Sequence, residues 1–253
     1  MSCNKRLQEE RIGLIKYSEL NKMNMKIIDY QGSTRLTVEF EDGAIEQNRT
    51  WQSWCDDAIK NNNVISVQGI GYIGYGPYKP FKNGKMTKGY SVWTGIMSRV
   101  YNQHALKLHP AYKGCSVVPE WHNYQNFAEW YYSNLPSEEG DFEVDKDLLY
   151  KGNRIYGPNQ CTIIPGEINS EMVLSYSRRG KYPVGIYWRE SRQRFIVKMG
   201  KKNIGETKTI EEGFAIYKEA KEKRYKQLAE KYKSVLSHQA YEALTTRTIE
   251  FDD

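Results

Sequence analysis

Residues 142–169 read FEVDKDLLYKGNRIYGPNQCTIIPGEIN, and the reading of this stretch decides the fold. It opens as a strand that ends in two carboxylates, Asp145 and Asp147, and continues as a turn-rich loop carrying Gly152-Asn153 and Gly157-Pro158-Asn159. A second short strand spans Cys161 to Ile164. After Pro165-Gly166 the chain can enter a helix, whose first turn brings Asn169 beside the strand end. Carboxylate plus amide oxygen is a hard-ligand set suited to Mg²⁺ or Mn²⁺.

Toward the carboxyl terminus, Val184 to Arg189 and Arg194 to Lys198 read as strands flanking a Glu190-Ser191 turn, with a third strand near Lys202 to Glu206. Thr209-Ile-Glu-Glu212 matches a capping box, in which Thr and Glu satisfy each other's orphan N–H groups at a helix start. Phe214, Tyr217, Ala220, Tyr225, Leu228, Tyr232 and Val235 give that helix an apolar stripe. Arg178-Arg179-Gly180 is the expected linker before this module.

Toward the amino terminus, Met25–Tyr30 and Thr34–Phe40 are β-rich runs joined at Gly32-Ser33, with Leu36, Val38 and Phe40 on one face. Asn61-Asn62-Asn63 reads as a linker. Gly69, Gly71 and Gly74 spell G-x-G-x-x-G after a strand-like run, but Gly76-Pro77 and Lys79-Pro80 block the helix that a dinucleotide site requires there. Trp93, Met97 and Val100 mark one helix. Trp121, Tyr124, Ala128, Tyr131 and Leu135 mark another, over Glu120 to Leu135. The sequence therefore predicts an α+β chain of three modules: an N-terminal β module at 1–63, a central region at 64–177 and a C-terminal sheet-plus-helix module at 181–253.

The 253 residues are 39% hydrophobic and 27% charged, which excludes collagen-like, disulfide-rich and acidic disordered classes. No run reaches the roughly 18 apolar residues of a membrane span, and Met-Ser-Cys-Asn-Lys-Arg opens no signal peptide, so a cytoplasmic protein without membrane contact is expected. Cys3, Cys55, Cys115 and Cys161 stand far apart and read as reduced thiols, mostly core filler. The net charge is +6, and residues 181–250 hold 16 Lys and Arg against 9 Asp and Glu. With 20 Tyr and 6 Trp interleaved among the basic residues, the composition suits a surface that tracks a phosphate backbone.

Val144-Asp-Lys-Asp, Gly152-Asn153 and Tyr156-x-Pro158-x-x-Cys161 follow Trp93…Met97…Arg99…Tyr101, Tyr112-x-x-Cys115-x-Val117 and Trp121…Phe127…Trp130. In this order, over residues 64–170, they resemble the HNH-type (ββα-metal) homing endonucleases of bacteriophages. The resemblance implies one divalent cation held by a β-hairpin and a helix. It places Asp145 and Asn169 as metal ligands, Asp147 beside them, and Asn153 or Asn159 as the loop-supporting asparagine. The family's general-base histidine falls on Lys146, and a protonated lysine cannot take a proton from water. Either His109 or His122 acts as base, or the chain is a binding module. A purely structural alternative has Asp145 and Asp147 cap a hairpin and pair with Arg154 or Lys151.

Gly-Ile-Tyr-Trp at 185–188 and Glu-Glu-Gly-Phe-Ala-x-Tyr-x-x-Ala-Lys at 211–221 make the C-terminal module similar to the Apetala-type (ethylene-response-factor) DNA-binding domain. That resemblance implies a sheet laid in the major groove, with Tyr187, Trp188, Arg189, Arg192, Arg194 and Lys198 at contact positions. Trp188 packs either on the sugar backbone or in the module core. The two resemblances together imply sequence-selective binding of double-stranded DNA with metal-dependent phosphodiester cleavage, in the cytoplasm of an infected bacterial host. The alternative is a non-catalytic DNA-binding or regulatory protein.

Overall fold

The computed structural model describes residues 3–172 and 181–252, so the expected linker at Arg178-Arg179-Gly180 lies outside the described residues. The fold is α+β, and the chain divides into two compact units. One unit comprises the chain up to Leu108 with Pro119–Ala128; the other comprises His109–Val118 with the chain from Glu129 onward. Among the described residues no helix is long and apolar enough to cross a membrane.

The first unit begins with α1 (Cys3–Arg11) and an antiparallel meander, β1 (Ile15–Ser18), β2 (Met23–Gly32), β3 (Arg35–Phe40) and β4 (Ile45–Arg49). Strict alternation on β3 sends Leu36, Val38 and Phe40 inward to meet Met25, Ile27 and Tyr30 of β2. The short helix α2 (Trp51–Cys55) starts at a Thr50/Ser53 capping box and drops Trp54 into the same core. The Arg11 guanidinium lies 3.6 Å from the Trp51 ring centroid and 4.9 Å from that of Tyr30, which ties α1 to the meander. The asparagine triplet is not a loose linker. Asn61 is 4% exposed, its amide nitrogen donates 3.0 Å bonds to both oxygens of Asp42, and its backbone N–H donates to Asn21. A buried amide must satisfy its donors and acceptors, and this cluster does so within the first unit.

After a hairpin of β5 (Phe81–Lys82) and β6 (Lys85–Met86), α3 (Lys88–Tyr101) buries Trp93, Ile96, Met97 and Val100, the face its spacing predicts. The short helix α4 (Gln103–Leu108) follows. The glycine triplet at 69–74 forms a loop bridged from Val67 to Gly71, in which Gly69 takes a left-handed φ of +72° and Gly71 is required by packing. A Cβ on Gly71 would stand 2.9 Å from the Met97 methyl and 3.0 Å from the Trp93 ring.

The second unit pairs β7 (Ser116–Val117) in parallel with β9 (Ile155–Tyr156). The expected helix over Glu120–Leu135 is shorter: a 3₁₀ turn of the first unit holds Pro119–His122, and α5 (Tyr124–Asn134), which belongs to the first unit as far as Ala128 and to the second from Glu129, opens only after Asn123, whose side-chain oxygen accepts the Gln125 N–H at 2.9 Å. Next, β8 (Phe142–Asp145) lies antiparallel to β10 (Thr162–Pro165), and α6 (Gly166–Met172) follows directly, giving the strand, strand, helix order read from the sequence.

The carboxyl-terminal sheet runs β11 (Ile186–Arg189), β12 (Arg194–Met199), β13 (Lys202–Thr207), all antiparallel. It packs on α7 (Ile210–Lys231), which starts at the anticipated Thr209/Glu212 capping box. The helix ends before Val235, so the stripe stops at Leu228 and Ala229. A last helix, α8 (His238–Thr246), capped by Ser237, is not among the elements expected from the sequence. Leu148, Ile164, Ile168 and Met172 share one core with Ile186, Val197, Tyr217, Tyr225 and Leu228. The β8–β10–α6 segment and the C-terminal module are therefore packed together. Of the three cysteines whose side chains are described, Cys161 is core, Cys115 is half-buried and Cys55 is exposed, which corrects the expectation of mostly core thiols for these three. Burial pushes the Cys161 thiol up to about 12, so it is an inert filler.

Candidate nucleic-acid interface

At the end of β8, Asp145 is buried, and its Oδ1 accepts the backbone N–H groups of Asp147 at 3.0 Å and Leu148 at 2.6 Å. Burial raises its carboxyl pKa above the ordinary value, against the pull of those two bonds. The Lys146 amine, also buried, donates to Asp147 Oδ2 at 2.6 Å and to the Asn153 carbonyl at 2.9 Å. Asn153 answers with its own amide, donating to the carbonyls of Lys146 at 2.9 Å and Ile155 at 2.8 Å, while its Oδ1 accepts the Ile155 N–H. Thus Asp145, Lys146, Asp147 and Asn153 are brought together, and what they hold is the 145–155 loop. Arg154 donates to the Lys113 carbonyl rather than to Asp147, whose ion-pair partner is Lys146.

Asn169 lies on α6 as expected, but its amide donates to Glu143. The hydrogen bonds of Asp145 and Asn169 run to different partners. A divalent cation needs several converging oxygens, and among the described residues no group of three or more His, Cys, Asp or Glu could hold one. Oδ1 of Asp145 is committed to two backbone amides and the Asn169 amide to Glu143, so each of the two expected ligands is held by partners within the fold. Lys146 is a hydrogen-bond donor in both of its contacts and so is not arranged as a base. Of the histidines offered as substitutes, His109 is exposed ahead of a 3₁₀ turn, and His122 belongs to the first unit, 3.5 Å from the Tyr101 hydroxyl.

The carboxyl-terminal sheet is arranged differently. Strand pairing sets Ile186 opposite Val197 and Trp188 opposite Phe195, with Phe195 opposite Thr207. A Cβ on Gly213 of α7 would meet Thr207, Ile186 and Val197, so these residues form the helix-facing side. By alternation the other side carries Tyr187, Arg189, Arg194 and Ile196, with Glu206 opposite Ile196. A bulge between Val197 and Lys198 re-aims the strand, and the Lys198 amine sits 5.6 Å from the Tyr187 ring centroid, on that same side. Arg192 joins it by an ion pair with Glu206. Tyr187 is 52% exposed; Arg189, Arg192 and Lys198 are exposed and Arg194 is half-buried.

Five of the six anticipated contact residues thus share one face. Trp188 stands apart on the helix-facing side, 4.8 Å from the Phe195 ring, with its indole N–H donating to Glu190 at 2.6 Å. Glu206 carries no signal of its own in the sequence, although its place opposite the basic strand makes it the acidic member of the cluster.

A cleft of about 350 Å³ in the first unit lies near Glu46, Arg49, Tyr75 and Gln125. Its polar groups satisfy one another: Glu46 accepts from Arg49 and Asn62, and the Gln125 amide donates to the carbonyls of Ile73 and Tyr78. Searches of protein-family models, curated proteins and solved structures give no match for this chain.

Proposed function

We propose that this protein binds double-stranded DNA sequence-selectively through the outer face of the β11–β13 sheet, with the β8–β10–α6 segment as its structural support. The observation that carries the reading is the gathering of Arg189, Arg192, Arg194 and Lys198 around exposed Tyr187, on the side of the sheet away from α7. A twisted antiparallel ribbon fits the major groove, where arginine can fork onto guanine and lysine can take phosphate. The half-buried Arg194, held by its strand, is the candidate base reader. The more exposed Arg189 and Lys198 suit the backbone.

The reading is tested by selection from a random duplex pool with the full chain, in EDTA. Enrichment of one site is the expected result. Arg194→Ala should then cost roughly 1–3 kcal/mol on that site and relax preference at one base pair. A pool that stays random after repeated rounds would defeat the proposal. Nicking of plasmid in Mg²⁺ or Mn²⁺ but not in EDTA would overturn the purely supportive role given to the Asp145 region.

A further inference from the structure

From Ala58 to Pro119 the sequence holds no Asp or Glu, against eight Lys and Arg. Lys79, Lys82, Lys85 and Lys88 fall within ten residues of it, around the β5–β6 hairpin. The turn is Asn83-Gly84, at φ +52° and +73°, the left-handed pair that a two-residue hairpin turn requires. All residues from Phe81 to Met86 are exposed.

Phe81 pairs with Met86 and Lys82 with Lys85, so the apolar pair and the basic pair occupy opposite faces. The Phe81 ring lies 5.8 Å from Tyr90, which in turn lies 5.7 Å from Trp93. Thr87 closes the root, with its N–H and hydroxyl both donating to the Pro80 carbonyl. The apolar face anchors the ribbon to α3, and the two lysines stand on the other side. Like charges directly opposite on a ladder are destabilising, and neither lysine has a carboxylate partner among the described residues. An anion bound from outside would relieve that repulsion.

We propose that the 79–88 ribbon is a second contact on double-stranded DNA, gripping phosphates without regard to sequence. The inference rests on the DNA-binding reading and adds a site in the first unit to the sheet in the second.

The test is a salt titration of the full chain on labelled duplex DNA, comparing the wild type with Lys82→Ala/Lys85→Ala and Lys82→Arg/Lys85→Arg. The alanine pair should lower the slope of log K against log salt by about 2 and weaken binding roughly tenfold or more near 0.1 M salt. The loss should be equal for the selected site and a scrambled duplex. The arginine pair should bind as the wild type does. An alanine pair with wild-type slope and affinity overturns the ribbon while leaving the sheet reading intact. An arginine pair as weak as the alanine pair overturns it too, because the loss is then structural. A loss confined to single-stranded DNA rejects the duplex as occupant, and a wild type without salt-dependent duplex binding removes both readings.

Discussion

Asp145 commits its carboxylate to the backbone of the turn it precedes, and burial holds its pKa above the ordinary 3.8. A carboxyl whose pKa is higher folded than unfolded binds its proton more tightly in the folded state. Its contribution to stability is therefore full below the ordinary Asp range and is lost as pH rises through the raised value. Asp145→Asn keeps an oxygen to accept both amide bonds and removes the titration. Urea unfolding across pH 3 to 7 should show the wild type losing stability relative to this variant as pH rises; the opposite slope would mean that the carboxylate is stabilised where it lies. That Asp145, Lys146 and Asn153 come together in one loop was legible from their spacing. Their roles were not, because sequence spacing cannot say whether a carboxylate faces water, a cation or the amides two and three residues ahead.

At the scale of elements, α6 and α7 are tied by charge. Lys221 on α7 is buried, with its amine on the Glu171 carbonyl and carboxylate, and Glu167 accepts from Arg224 at 2.7 Å, from Tyr232 at 2.6 Å and from Lys231. Lys231, Tyr232 and Arg224 hold the Glu167 carboxyl down to about 2 from an ordinary 4.5. A depressed carboxyl stabilises the fold above its unfolded pKa, and this contribution is lost as pH falls from about 4.5 toward 2. Glu167→Gln should therefore flatten the acid limb of the stability curve and leave the neutral region nearly level. An unchanged acid limb would show that the cluster contributes nothing measurable, as for many exposed ion pairs. The capping box at Thr209 and the stripe of Tyr217, Tyr225 and Leu228 were readable, because both are local patterns at fixed spacing. Lys221 was not, because its burial depends on Glu171, fifty residues earlier in the chain. The nine residues of α8 were too few, and too polar, to outweigh their surroundings.

Across the whole molecule, the strand, strand, helix order at 142–172 and the three-stranded sheet at 186–207 were both expected as separate pieces, yet Ile164, Ile168 and Met172 complete the core under the sheet. Removing residues 181–253 would expose these side chains to water, so loss of DNA binding on truncation would report unfolding rather than contact. Point substitutions on the outer face avoid this. Arg189 and Arg194 face each other across β11 and β12 on that side, and glutamine at both keeps polar side chains of similar reach while removing two charges. The decisive measurement is the affinity of full-length Arg189→Gln/Arg194→Gln for duplex DNA over a range of salt, with its unfolding midpoint measured alongside. The account predicts an unchanged midpoint, a salt slope smaller by about one for each phosphate no longer neutralised, and a weaker preference for the selected over the scrambled duplex, lost at the one base pair that Arg194 reads. Wild-type affinity and preference in this folded variant would contradict it.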